Sequence, residues 1–226
     1  PPYGKSRAED GLAARYPGDA GIEKDPDVLY ANRFEDAGWR SGWSDFDPKT
    51  EPVPVSADGP NRFAPIDGKA LKVTVAAGTR TGLNMHFRLA RHGGEPDELY
   101  FRYYLRLGES WDPTVTGGKL PGLSGTYGKA GWGGRGANGA DGWSARGAFF
   151  QWNPKDAAFA RLRGIGSYVY HAGGSSNYGL PFGWNLGPTG MLEKNRWYSV
   201  EQYVRMNRPG QSDGVLRAWI DGQLAL

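Results

Sequence analysis

Apolar positions along this chain recur mostly at every second residue, the period of a strand that buries one face. Residues 70–75 set Leu71, Val73 and Val75 against Lys72 and Thr74. Residues 83–89 repeat the pattern, with Leu83, Met85, Phe87 and Leu89 opposite Asn84, His86 and Arg88. The longest alternation is residues 98–107, where Leu99, Phe101, Tyr103, Leu105 and Leu107 are expected to line a core. Tyr100, Arg102, Tyr104 and Arg106 then share the opposite surface. Further strands are predicted over residues 144–152, 165–171, 197–206 and 215–220, with Asp221-Gly222 as the hairpin turn after the last. No convincing helical period, repeat or linker interrupts the series. The pattern predicts an all-β, antiparallel β-sandwich over residues 29–226, preceded by an extended polar arm over residues 1–28.

Composition narrows this further. The chain has 226 residues, a length that suits one large β domain, and its 36 glycines supply many turns. There is no cysteine, which removes disulfides, thiol nucleophiles and thiolate metal sites from consideration. A formal charge of +3 suits a polyanionic partner. The basic residues are scattered without a long run, so nucleic acid is not expected as that partner. No stretch approaches the roughly 20 apolar residues that span a bilayer, so no membrane association is expected. The chain opens Pro1-Pro2-Tyr3, with neither an initiator methionine nor an apolar signal core. The expectation is a mature, exported protein, secreted or periplasmic, and a monomer.

Several motifs can be set aside. Residues 117–142 read as a glycine-rich loop, and Gly131-Trp132-Gly133-Gly134-Arg135-Gly136 within it matches the dinucleotide fingerprint in form. That motif needs a buried strand before it and a helix after it, and neither is predicted. His86, His92 and His171 lack metalloprotease spacing. No strand offers the pair of carboxyls, about 5 Å apart, that retaining glycoside hydrolysis needs.

One string carries more information. Gly117-Gly118-Lys119-Leu120-Pro121-Gly122-Leu123 resembles the signature of concanavalin A-like jelly-roll polysaccharide lyases, the alginate and glucuronan lyases, and is also similar to a fungal cellulose-induced protein. Ser144-Ala145-Arg146 and Tyr168-Val169-Tyr170 match that group's Ser-x-Arg and Tyr-x-Tyr strands, and Trp197-Tyr198 through Asp221-Gly222 resembles its closing hairpin. The loop after Leu123 is longer and richer in glycine than in those families, and residues 153–165 read as an insertion. The resemblance implies a jelly roll that cleaves an acidic, uronic-acid-containing polysaccharide by β-elimination, and it implies a catalytic role for Lys119.

Such a reaction removes the proton beside a carboxylate, so charge growing on that group must be stabilised. Arg146 is the expected clamp, because its planar fork matches a carboxylate. Lys119 would neutralise the same group or, with a lowered pKa, take the proton. Tyr168 and Tyr170 would supply base and acid if a nearby cation lowers one phenol from about 10. Ser144 would orient substrate, Tyr100, Arg102 and Tyr104 would wall subsites, and His86 would join them. Singly, each of these residues has an ordinary structural explanation; as a set on matching strand faces they point to function. Two other functions fit the chain. A non-catalytic carbohydrate-binding protein would use Trp132, Trp143, Trp152 and Trp184 as stacking platforms. A glycoside hydrolase would pair Asp141 with Glu201 or Asp213. No cofactor is required, although a structural Ca2+ held by Glu35 or Asp36 together with Asp213 is conceivable without any recognisable calcium spacing.

Overall fold

The computed structural model describes residues 11–151, 163–185 and 191–226. The chain forms two compact units: one comprises Gly18–Pro96 with Gly108–Ser110, and the other takes in the chain up to Pro17, Asp97–Leu107 and Trp111–Leu226. Part of the N-terminal arm, Trp152 and most of the expected insertion lie outside the described residues. Residues 11–28 carry only a one-turn helix, Leu12–Arg15, and two short 3-10 turns.

In the smaller unit, β1 (Trp43–Pro48) pairs with β4 (Leu83–Phe87), and β2 (Val53–Val55) pairs with β3 (Ala70–Lys72). Tyr30, Trp43, Phe87 and His92 form an aromatic cluster, with the Phe87 and His92 rings stacked at 4.1 Å. The alternation over residues 70–75 is only half realised as a strand. Val73 and Val75 lie beyond β3 and are exposed, because pairing with β2 ends at Lys72.

The larger unit is an antiparallel sandwich. Its first sheet has the order β13 (Gln223–Leu224), β12 (Val215–Ile220), β11 (Trp197–Arg205) and β5 (Glu98–Arg106). The second runs β10 (Met191–Leu192), β8 (Arg163–Tyr170), β7 (Trp143–Gln151) and β6 (Gly117–Gly125), with β9 (Leu180–Gly183) also paired to β8. Between the sheets Ile165 of β8 packs with Tyr198, Val200, Ala218 and Ile220 of the facing sheet, and Leu107, Trp184 and Leu192 complete the cluster. Leu120 and Phe149 approach the same cluster from β6 and β7. The strands carry the β-branched and aromatic residues that suit a pleated, half-buried surface.

One hydrogen-bonded group crosses this core. The buried Ser167 hydroxyl accepts from the Trp184 indole at 3.0 Å and from the Gln202 amide at 2.8 Å, so polar atoms from both sheets are tied together directly. Asp221 and Gly222 both have positive φ, 51° and 79°, the conformation a two-residue type I′ hairpin requires, and they join β12 to β13 as expected. The sequence reading failed at β6. Glycine content marked residues 117–142 as loop, yet the first nine of them form a strand against β7.

Candidate active site

The glycines of β6 are there because the neighbouring strand is close. A Cβ on Gly122 would stand 2.5 Å from the Ala145 carbonyl oxygen and 2.6 Å from the Arg146 Cα. A Cβ on Gly118 would meet the Phe149 ring at 2.5 Å. Between them the ladder slips: Lys119 pairs with Ala148 and Gly122 with Arg146, so three steps on β6 answer two on β7. This is a β-bulge, and it holds Pro121, which cannot donate to a ladder. The slip has a consequence for side chains. In a regular strand Lys119 and Gly122 would face opposite ways. With the bulge both occupy positions opposite residues on the same face of β7.

That face is the one turned from the core. Since Ile165, Ser167 and Val169 point inward, alternation places Tyr168 and Tyr170 outward, directly opposite Arg146 and Ser144 in register. Lys119, Arg146, Tyr168 and Tyr170 are therefore brought together, as expected. The Lys119 ammonium stands 3.6 Å from the centre of the Tyr168 ring. The Arg146 guanidinium lies 6.0 Å from the rings of both tyrosines, which meet edge to face at 5.6 Å. An open cleft of about 380 Å³ adjoins them, lined by Lys119, Phe150, Tyr168 and Pro181 among others. None of the lining residues is a carboxylate.

Two groups on this face are shifted in opposite directions. Partial burial and then the charge of Arg146 lower the Lys119 pKa, although the side chain as a whole is exposed. The π face of Tyr168 pulls the other way, since it favours an ammonium. Tyr168 is shifted upward, first by burial and then by Tyr170 beside it. The expected lowering of a phenol by a nearby cation does not occur at Tyr168, because loss of water outweighs the attraction of Arg146. Arg146 keeps its Nε buried with no hydrogen-bond partner among the described residues. Such a group is costly unless something accepts from it.

Other expected site residues are committed to other contacts. Ser144 is buried, and its hydroxyl donates to the Gly131 carbonyl at 2.6 Å, so it anchors the glycine-rich loop to β7 and is not turned to a substrate. Tyr100, Arg102 and Tyr104 belong to β5 in the facing sheet, opposite Tyr203, Glu201 and Ser199. Their face points away from the core, on the far side of the sandwich from Lys119. They do not wall this cleft: Tyr100 packs on Tyr203 at 4.7 Å, and Arg102 donates to the Tyr104 hydroxyl. His86 lies in the smaller unit, its ring 3.0 Å from the Asp45 carboxylate, which Arg88 also contacts.

The carboxylates weighed for hydrolysis are engaged separately. Glu201 is buried and accepts from the Leu12 amide with both oxygens, Asp141 accepts from Asn138, and Asp213 pairs with Arg208. Glu35 accepts from the Lys69 amide and Asp36 from that of Gly38. Among the described residues no cluster of three or more acidic, cysteine or histidine side chains is arranged for a metal. No helix there is long and apolar enough to cross a membrane. Sequence reasoning missed Pro181 and Phe150 as cleft walls; only the pairing of β9 and β7 with β8 brings them there.

Comparison with known proteins agrees with this geometry. No curated protein sequence matches the chain. Among solved structures, the marine PL-14 alginate lyase from Aplysia kurodai superposes with a TM-score of 0.54 at 17% identity, over 83% of this chain and 70% of that one. The alginate lyase Aly36B matches with a TM-score of 0.48 at 25% identity, over 57% of this chain. The chain spans about half the length of Aly36B, 50%. The first likeness supports the jelly-roll sandwich. A profile of polysaccharide lyase 14 matches residues 66–226, a span that holds β3 to β13 and every member of the Lys119, Arg146, Tyr168 and Tyr170 cluster. The chain belongs to the polysaccharide lyase 14 family.

Proposed function

We propose that this chain cleaves an acidic polysaccharide of alginate type by β-elimination at the open face of the second sheet. The observation that carries the reading is the grouping of two cations and two phenols beside a cleft without any carboxylate in its lining. Arg146 binds the uronate carboxylate and stabilises the charge that grows as the adjacent proton leaves. Lys119, its pKa lowered, takes the proton from carbon 5. The electron pair forms a double bond between carbons 4 and 5, and the bond from carbon 4 to the linking oxygen breaks. Tyr168, held protonated, delivers a proton to that oxygen. Tyr170 keeps the Tyr168 ring in place by edge contact. A polymeric substrate puts this action outside the cell membrane.

The test is elimination on alginate, glucuronan and a neutral β-glucan, followed by the ultraviolet absorbance of the new conjugated double bond. Absorbance should rise on alginate and not on the glucan. Lys119→Arg keeps the charge but removes the base, and it should lower the rate by about 100-fold or more. A Lys119→Arg enzyme that retains full rate would show that the lysine neutralises charge and that another group is the base. Hydrolysis products without the double bond would overturn the lyase reading.

A further inference from the structure

The glycine-rich segment after β6 is not absorbed by this chemistry, yet it is built against it. Trp132, Gly133, Gly134 and Arg135 form a two-residue hairpin. Its central glycines have φ of 58° and 81°, the type I′ combination, and the Arg135 amide closes the turn on the Trp132 carbonyl at 2.9 Å. This turn puts its two flanking side chains on one side. The Arg135 guanidinium lies 4.7 Å from the centre of the Trp132 ring, and it is held there by a bond to the Gly128 carbonyl.

Backbone contacts fix the hairpin to the catalytic face. The Gly134 amide points to the Tyr170 hydroxyl at 3.4 Å. Ser144 binds the Gly131 carbonyl, and a Cβ on Gly131 would meet the Trp143 backbone at 2.6 Å, so the loop starts flush with β7. The position of a Gly134 Cβ is 3.5 Å from the Tyr178 ring. Despite this anchoring the aromatic surfaces remain open: Trp132 is 41% exposed and Tyr178 64%. Exposed aromatic rings fixed by backbone contacts, beside a guanidinium, have the chemistry that recognises an anionic sugar: ring stacking plus a charge-assisted bond to the carboxylate.

We propose that Trp132 and Arg135, with Tyr178 beside them, form an accessory subsite that holds a uronate unit of the polymer beyond the reacting one, next to Tyr170 on the catalytic face. The occupant follows from continuity with the catalytic face and from charge, because Arg135 extends the positive character of Lys119 and Arg146. The inference rests on the reading of that face as a polysaccharide site.

The experiment measures binding and turnover separately. In a Lys119→Ala background, affinity for long-chain alginate is compared with and without Trp132→Ala and Arg135→Ala, and circular dichroism confirms the fold. Each change should weaken binding about three- to tenfold. Trp132→Phe should recover most of the loss, whereas affinity for a neutral β-glucan should stay low throughout. Unchanged alginate affinity in the Trp132→Ala and Arg135→Ala proteins would overturn the subsite, even if the parent enzyme eliminates normally. An equal loss on the neutral glucan would overturn the assignment to a uronate. Conversely, binding that depends on Trp132 and Arg135 in a parent that yields no unsaturated product would keep the subsite and remove the lyase reading.

Discussion

The Lys119 and Tyr168 pair makes a prediction about pH. In the proposed mechanism elimination needs the neutral amine, so the rate should climb as pH rises through the Lys119 pKa, which lies below the usual lysine value. It also needs the protonated phenol, so the rate should fall only as pH passes the Tyr168 pKa, which lies above the usual tyrosine value. A kcat/KM profile with an alkaline plateau is the expected shape. Replacing Tyr168 by Phe should remove the falling limb and cut the rate by roughly 100- to 10,000-fold. A profile that peaks below neutrality would show that Lys119 acts as a charged group and not as the base.

At the level of the element, the bulge in β6 is what makes Lys119 a cleft residue. Only glycine fits at position 122, where an added methyl would press on β7 backbone atoms that cannot swing aside. Gly122→Ala should cost about 1–3 kcal/mol by overpacking and should lower turnover as well, because relieving the clash shifts the strand that carries Lys119. Denaturant unfolding and turnover measured on one preparation would show both effects. Gly59→Ala serves as the control: nothing lies within 4 Å of its Cβ position, so stability should change little. Equal behaviour of the two variants would mean that β6 has room to move and that the bulge does not fix the lysine.

Across the larger unit, the sheet that carries the cluster is held to its partner by a core that includes a polar tie at Ser167. Ser167→Ala would leave the Gln202 amide and the Trp184 indole without their shared acceptor inside the buried core. An unsatisfied buried donor costs about 1–3 kcal/mol, so thermal unfolding should shift down measurably. Because Ser167 faces away from the cleft, KM should stay as it was. A raised KM with unchanged stability would instead place this tie in the service of the site.

The sequence by itself determined the sandwich and most of its strands. Period-two patterning is local, and residues 98–106, 197–205 and 215–220 each carry enough of it to specify a face without reference to a partner. It also pointed to the four residues of the cluster, Tyr168 and Tyr170 sharing a face through alternation and Lys119 singled out by the resemblance of the Gly-Gly-Lys-Leu-Pro-Gly-Leu string to the lyase signature. Tertiary structure decided the rest. Strand β6 was hidden because its glycines answer the closeness of β7, a property of the neighbour and not of the segment. The same neighbour imposes the bulge that turns Lys119 toward Arg146. Tyr100, Arg102 and Tyr104 were assigned to the site because alternation shows that residues share a face but not which sheet that face belongs to. Ser144 kept its expected face, yet its hydroxyl is committed to a carbonyl thirteen residues away, a partner that appears only when the loop folds back.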